Sequence, residues 1–120
     1  MKTILIVDDN ENDRVICERE LRGEGYVTCS VSSGLKALQF IDKNPQVDLI
    51  ILDVKMVPLS GIDVLQQVRA KKIIIPVILH SDYSTYKNDF VTWLADAYIL
   101  KSSDLTQLKK KVKELLSFEE

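Results

Sequence analysis

Cysteine, histidine, glycine and proline are all scarce in this chain of 120 residues, with two, one, four and three copies. Cys17 and Cys29 form no CxxC pair, and the single histidine does not lie at ligand spacing from either. That argues against a disulfide framework and against a zinc centre; it leaves two small apolar residues suited to a reducing compartment. Long hydrophobic runs are missing too. The longest, IIIPVIL at 73–79, is far too short to span a bilayer. The first residues lack the apolar stretch and small-residue cleavage site of a signal peptide. Excess charge of one sign is absent. A net charge of −2 gives no general attraction to nucleic acid or anionic membrane. No repeat, linker or low-complexity segment appears. The expectation is one cytoplasmic domain over residues 1–120, large enough to bury a core without a disulfide or metal.

What is present alternates. Thr3–Val7, Tyr26–Ser30, Asp48–Leu52, Ile75–His80 and Ala97–Leu100 are short and β-branched, and most are apolar throughout. Strands covered on both faces have this character. Between them lie amphipathic segments. Leu105, Leu108, Val112, Leu115 and Leu116 follow helical spacing, with Lys109, Lys110, Lys111 and Lys113 on the other face. These lysines read as a solvated face that suits the helix dipole. Leu35, Leu38 and Ile41 make a second stripe, and Ile62, Leu65 and Val68 a third. Weaker helical patterns cover 12–22 and 85–94. Gly23 and Gly25 end the first helix, Asn44-Pro45 the second, and Ser103 or Asp104 can cap the last. Five strands alternating with five helices predict an α/β fold, a doubly wound parallel sheet with helices on both faces. Function in such sheets gathers at the carboxyl ends of the strands.

Those ends carry chemistry. The first strand stops at Asp8-Asp9, the third at Asp53, the fourth at Ser81 and the fifth at Lys101. An aspartate after a strand is often a turn residue, and a lone Ser or Lys says little; the joint pattern at four strand ends is what carries weight. In a parallel sheet all five residues share one edge. Three carboxylates that close repel one another unless positive charge sits among them. Lys101 offers one charge. A hard divalent cation such as Mg²⁺ offers two and prefers oxygen ligands. A carboxylate beside such a cation, with a hydroxyl and a lysine for phosphoryl oxygens, is equipment for forming an aspartyl phosphate. His80, inside an apolar strand, reads as a core histidine. Trp93, Phe90 and Tyr86 read as aromatics packed on the sheet, or as a protein-binding patch where exposed.

On ILIVDDNENDR, DLIILDVKMVPLSG with Met56 and Gly61, PVILHS and DAYILKS, the chain resembles the receiver domain of bacterial two-component response regulators, over its whole length and in the chemotaxis-regulator-like manner. The resemblance implies a flavodoxin-like sheet of order 2-1-3-4-5. It implies that Asp53 is the phosphoacceptor. It also implies that Asp9 binds Mg²⁺ directly, that Asp8 does so mainly through water, and that the Lys55 carbonyl is a further ligand. Lys101 and Ser81 would contact the phosphoryl group. Ser81 and Tyr98 would move inward on phosphorylation and reshape the surface of the last strand and its flanking helical segments. The implied partners are a sensor histidine kinase or phosphotransfer protein and a downstream protein or fused output domain, with no nucleic acid or membrane bound by this domain; a phosphorylation-dependent homodimer is compatible. The resemblance implies a signalling domain rather than an enzyme, with self-phosphorylation and self-dephosphorylation at Asp53.

Four features depart from the family pattern. Val57 stands where proline is common, with Pro58 one later. Lys101 is followed by Ser102 rather than proline. The stretch from Ser81 to Tyr98 is short and lacks the usual glycine, which predicts a short or irregular fourth helix. Lys55 and Tyr83 stand two beyond Asp53 and Ser81, where they could shield a phosphoryl group from water. Two other functions fit parts of the pattern. One is a phosphorylation-independent pseudo-receiver scaffold. The other is a Mg²⁺-dependent Asp-nucleophile phosphohydrolase, disfavoured because no Asp-x-Asp motif follows a strand.

Overall fold

Aliphatic runs apolar on both faces become the strands of a single parallel sheet: β1 (Thr3–Val7), β2 (Val27–Val31), β3 (Leu49–Leu52), β4 (Val77–Ser81) and β5 (Ala97–Leu100). In this computed structural model residues 1–82 and 93–117 are described. The strand order is β2-β1-β3-β4-β5. Four helices lie among the described residues: α1 (Glu11–Gly23), α2 (Gly34–Lys43), α3 (Gly61–Ala70) and α4 (Thr106–Ser117). The fourth predicted helix, 85–94, falls almost wholly outside the described residues, as do Tyr83, Tyr86 and Phe90. Trp93 is described and is exposed.

The sheet separates two cores by residue parity. Leu5, Val7, Ile50, Leu52, Val77 and Leu79 face α2 and α3, meeting Ala37, Leu38, Ile41, Val64, Leu65 and Val68. Ile4, Ile6, Leu49, Ile51 and Ile78 face the other way and meet Cys17 and Leu21 of α1 with Leu108, Val112 and Leu116 of α4. Successive strand side chains point to opposite faces, so an unbroken apolar run serves both layers. Helix starts are capped as the sequence allows. Asn10 accepts from the Asp13 N–H at 3.0 Å, Ser33 from Lys36, and Ser60 with Asp63 forms a reciprocal capping box. Such caps stabilise a helix start by about 1 kcal/mol.

Some expectations are corrected. Strand β2 begins after Tyr26, whose N–H still bonds to Leu21 at the exit of α1. Strand β4 begins at Val77, because the Ile75 carbonyl is taken by the Arg69 guanidinium at 2.9 Å. Leu35 is 56% exposed. The buried stripe of α2 starts instead at Gly34, where a side chain would run into Val64 and Leu59. The lysines of α4 stand in mid-helix and none is in the last turn, so they do not offset the helix dipole. Lys109 pairs with Glu20 at 2.7 Å and Lys111 with Glu114 at 3.2 Å. Asp104 accepts from the Thr106 N–H at 2.9 Å at the start of α4. Val57–Pro58 is a cis peptide and Lys101–Ser102 is not.

Candidate functional site

The backbone ladder continues one residue beyond each strand and so sets the side chains of the site. Asp53 donates its N–H to the Val7 carbonyl at 2.8 Å, Asp8 to Val31 at 3.2 Å, and Lys101 to Ser81 at 2.7 Å. Each is the first residue past its own strand. The β3–α3 loop closes tightly behind Asp53. Gly61 donates to the Val54 carbonyl at 2.8 Å, and a side chain at Gly61 would collide with the Asp53 carbonyl. Only glycine permits that approach.

Asp8, Asp9 and Asp53 are brought together, each offering a carboxylate oxygen within 4.8 Å of the others. Asp8 and Asp53 are buried and Asp9 is exposed. Lys101 enters from β5. Its ammonium donates to Asp8 at 2.7 Å and to Asp13 at 2.9 Å, and stands 3.6 Å from Asp53. The Asn10 N–H donates to the second Asp8 oxygen at 3.0 Å, and Arg14 holds the Asp8 carbonyl at 2.8 Å.

Electrostatics follow from this crowding. Burial raises the Asp53 carboxyl, Asp8 and Asp9 raise it further, and Lys101 with the Val54 N–H only partly offsets them, leaving it near 7. Burial alone would lower the Lys101 ammonium; its bonds to Asp8 and Asp13 and the charge of Asp53 outweigh that and hold it above its ordinary value. A carboxylate trio with one cation is short of positive charge. Its all-oxygen donor set suits a hard divalent ion.

The other predicted residues are placed as follows. Ser81 is fully buried at the end of β4. Tyr98 lies opposite Leu79 on β5 and packs partly buried against the α2–α3 core. Lys55 is exposed in the loop after Asp53. His80 is buried, as a core histidine should be; burial and the charge of Lys101 lower its imidazole to about 4. Beside Lys101 an open cavity of about 490 Å³ runs between α1 and the β5–α4 loop, with Asp13, Ile16, Cys17 and His80 in its wall. Burial pushes the Cys17 thiol up to about 12, the value of an inert core cysteine. Sequence reasoning missed Asp13. The only signal available was its place in the first turn after Asp8-Asp9, on the side of α1 that faces the strand ends.

Residues 4–113 match the family described as Response regulator receiver domain. The fold superposes on TrrA of Thermotoga maritima, solved in complex with Mg²⁺-BeF, with a TM-score of 0.93 and 41% identity over 97% of this chain and 100% of that one. TrrA in complex with the histidine kinase ThkA gives a TM-score of 0.90, over 97% and 99%. Among curated proteins the chain is 29% identical to the transcriptional regulatory protein ZraR of Klebsiella oxytoca, over 95% of this chain and 26% of ZraR. It is 28% identical to the response regulator SaeR of Staphylococcus aureus, over 98% of this chain and 51% of SaeR. The chain thus spans about a quarter to a half of these curated relatives.

Proposed function

Because the chain belongs to the response regulator receiver domain family, we propose that residues 1–120 form one receiver domain in which Asp53 accepts a phosphoryl group from the phosphohistidine of a sensor kinase or phosphotransfer protein. The observation that carries this reading is the meeting of Asp8, Asp9 and Asp53 within 4.8 Å, with Lys101 3.6 Å from Asp53. A TrrA structure with a histidine kinase and another with Mg²⁺-BeF support it by analogy at 41% identity.

The residues divide the work. A carboxylate oxygen of Asp53 attacks phosphorus; the O–P bond forms as the donor's P–N bond breaks, and the imidazole nitrogen leaves with the electron pair. Lys101 donates to a phosphoryl oxygen, and the Ser81 hydroxyl offers a second donor from the end of β4. Asp8, Asp9, Asp53 and the Lys55 carbonyl would hold Mg²⁺, which when bound supplies two positive charges to offset the carboxylates and the transferring group. Ser81 drawn inward and Tyr98 turning on β5 would convert that local charge into a new surface for a downstream protein or fused output domain. The proposed setting is the cytoplasm, in keeping with free Cys17 and Cys29. Among the described residues no helix is long and apolar enough to cross a membrane.

The test is incubation with Mg²⁺ and acetyl phosphate, followed by mass measurement. One phosphoryl group should add to the wild type and none to Asp53→Asn. No Mg²⁺-dependent addition would leave a phosphorylation-independent scaffold instead. Steady turnover of a small phosphate ester, lost in Asp53→Asn, would point to a hydrolase.

A further inference from the structure

Lys101 divides one ammonium among carboxylates from three different elements. Asp8 and Asp53, after β1 and β3, belong to the site already described. Asp13 does not. It lies in the first turn of α1, its side chain is 41% exposed, and it accepts from Lys101 at 2.9 Å. Its position is not accidental to a floppy chain end, because its own N–H is tied to the Asn10 cap at 3.0 Å. Of the three carboxylates, it is 0.7 Å closer to the ammonium than Asp53 (2.9 Å against 3.6 Å).

The ammonium has three N–H donors. Two are engaged, by Asp8 at 2.7 Å and Asp13 at 2.9 Å, and Asp53 lies beyond hydrogen-bonding distance. Aiming the remaining N–H at a phosphoryl oxygen on Asp53 draws the ammonium toward β3 and strains the two bonds it already makes. The bond to Asp8 is buried and short, so the bond to the exposed Asp13 is the one that yields. Asp13 also sets a negative charge against the cation that an incoming phosphodonor anion must meet.

On the reading that Asp53 is the phosphoacceptor, we propose that Asp13 is a positioning residue that competes with the phosphoryl group for Lys101 and so weakens engagement of the phosphodonor. Asp13 touches no reacting atom; it acts through where it holds the ammonium. Removing its charge while keeping its shape leaves Lys101 anchored by Asp8 and turned more fully to the donor.

The experiment uses the whole chain with Mg²⁺ and acetyl phosphate as donor, at fixed ionic strength. In Asp13→Asn the donor concentration for half-maximal phosphorylation rate should fall about two- to fivefold, the worth of an ion pair with one exposed partner, with a smaller change in the maximal rate. Asp13→Glu keeps the charge and should stay near wild type. Glu11→Gln removes a charge from the same turn of α1 and should leave the donor dependence unchanged. Without any donor, the Lys101 ammonium resonance in ¹⁵N NMR should move in Asp13→Asn and hold still in Glu11→Gln. An equal shift in Glu11→Gln would make the effect a general field and overturn the proposal. So would an unchanged or raised half-saturation in Asp13→Asn, or an unmoved ammonium resonance. A wild type that takes no phosphoryl group is a separate failure: it overturns the phosphoacceptor reading itself, and this proposal with it.

Discussion

The Lys101 ammonium is held 2.7 Å from Asp8 and stops 3.6 Å short of Asp53. The buried carboxylate proposed as the phosphoacceptor is thus the less well compensated of the two. Folding forces Asp53 into a place where its charge is disfavoured, and its carboxyl rises from 3.8 to about 7.

Asp53→Asn should therefore stabilise the metal-free protein. The folded state binds the Asp53 proton more tightly than the unfolded chain does. Its contribution is fully present below about pH 4 and is lost as pH rises through about 7. The variant and wild type should unfold alike near pH 4. At pH 8 the variant should be more stable by roughly 1–2 kcal/mol, or several degrees in Tm. Mg²⁺ should then raise the wild-type Tm more than the variant's. Thermal melts at both pH values decide this, and a variant less stable than wild type at pH 8 would refute it.

Gly61→Ala should damage stability and site together. The new methyl meets the Asp53 carbonyl, which is backbone and cannot rotate aside. A loss of about 1–3 kcal/mol or somewhat more is expected in urea unfolding, the usual cost of overpacking, here against backbone that cannot give way. Phosphorylation by acetyl phosphate should slow in the fraction that remains folded. Wild-type stability in this variant would mean the loop is more yielding than its geometry indicates.

Arg69→Met should separate fold from site. The Arg69 guanidinium donates to the carbonyls of Ile73, Ile75 and Leu94 and to Asp96. Asp96 in turn accepts from the Val77 N–H at 2.8 Å. This network ties α3 to the amino ends of β4 and β5, at the opposite edge from Asp53. Its loss should cost about 1–3 kcal/mol, because it leaves the part-buried carbonyls of Ile73 and Ile75 without their donor. The rate of phosphorylation at Asp53 should be nearly unchanged. A large fall in that rate would show that the two edges are not independent.

His80 gives the protein an acid-sensitive limb. Its imidazole is neutral in the fold and titrates near 4 rather than 6.5. Below about pH 6.5 the unfolded chain takes up the proton first, so the contribution of His80 falls as pH drops from 6.5 toward 4 and is flat above, opposite in sign to that of Asp53 over the same window. The full effect is roughly 3 kcal/mol. His80→Gln should gain stability relative to wild type on going from pH 7.5 to pH 5, read as the difference between their urea midpoints, in which the Asp53 contribution cancels. An imidazole that titrates near 6.5 by NMR would end the argument.

The site was legible because it is written in strand ends. Uninterrupted aliphatic runs identify strands buried on both faces, and a parallel sheet then carries Asp8, Asp9, Asp53, Ser81 and Lys101 to one edge whatever the helices do. Helix phase was less legible. Leu35 fits the apolar spacing as well as Ala37 does, and only the close approach at Gly34 decides which residue is buried. Arg69 was not legible, and Asp13 only through its place in the first turn after Asp8-Asp9. Each acts on residues far along the chain, and composition or periodicity holds no record of such reach. The dipole argument for the α4 lysines failed for a local reason, since the final turn contains none of them.

The parity of the strands has a consequence for inheritance. Residues that point to one side of the sheet never meet those that point to the other, and the chemistry sits at the rim where both layers end. Mutations can therefore accumulate on the α1–α4 layer, the α2–α3 layer or the rim as three nearly separate ledgers. A lineage built this way can vary either layer while keeping the carboxylates of Asp8, Asp9 and Asp53 together at the rim.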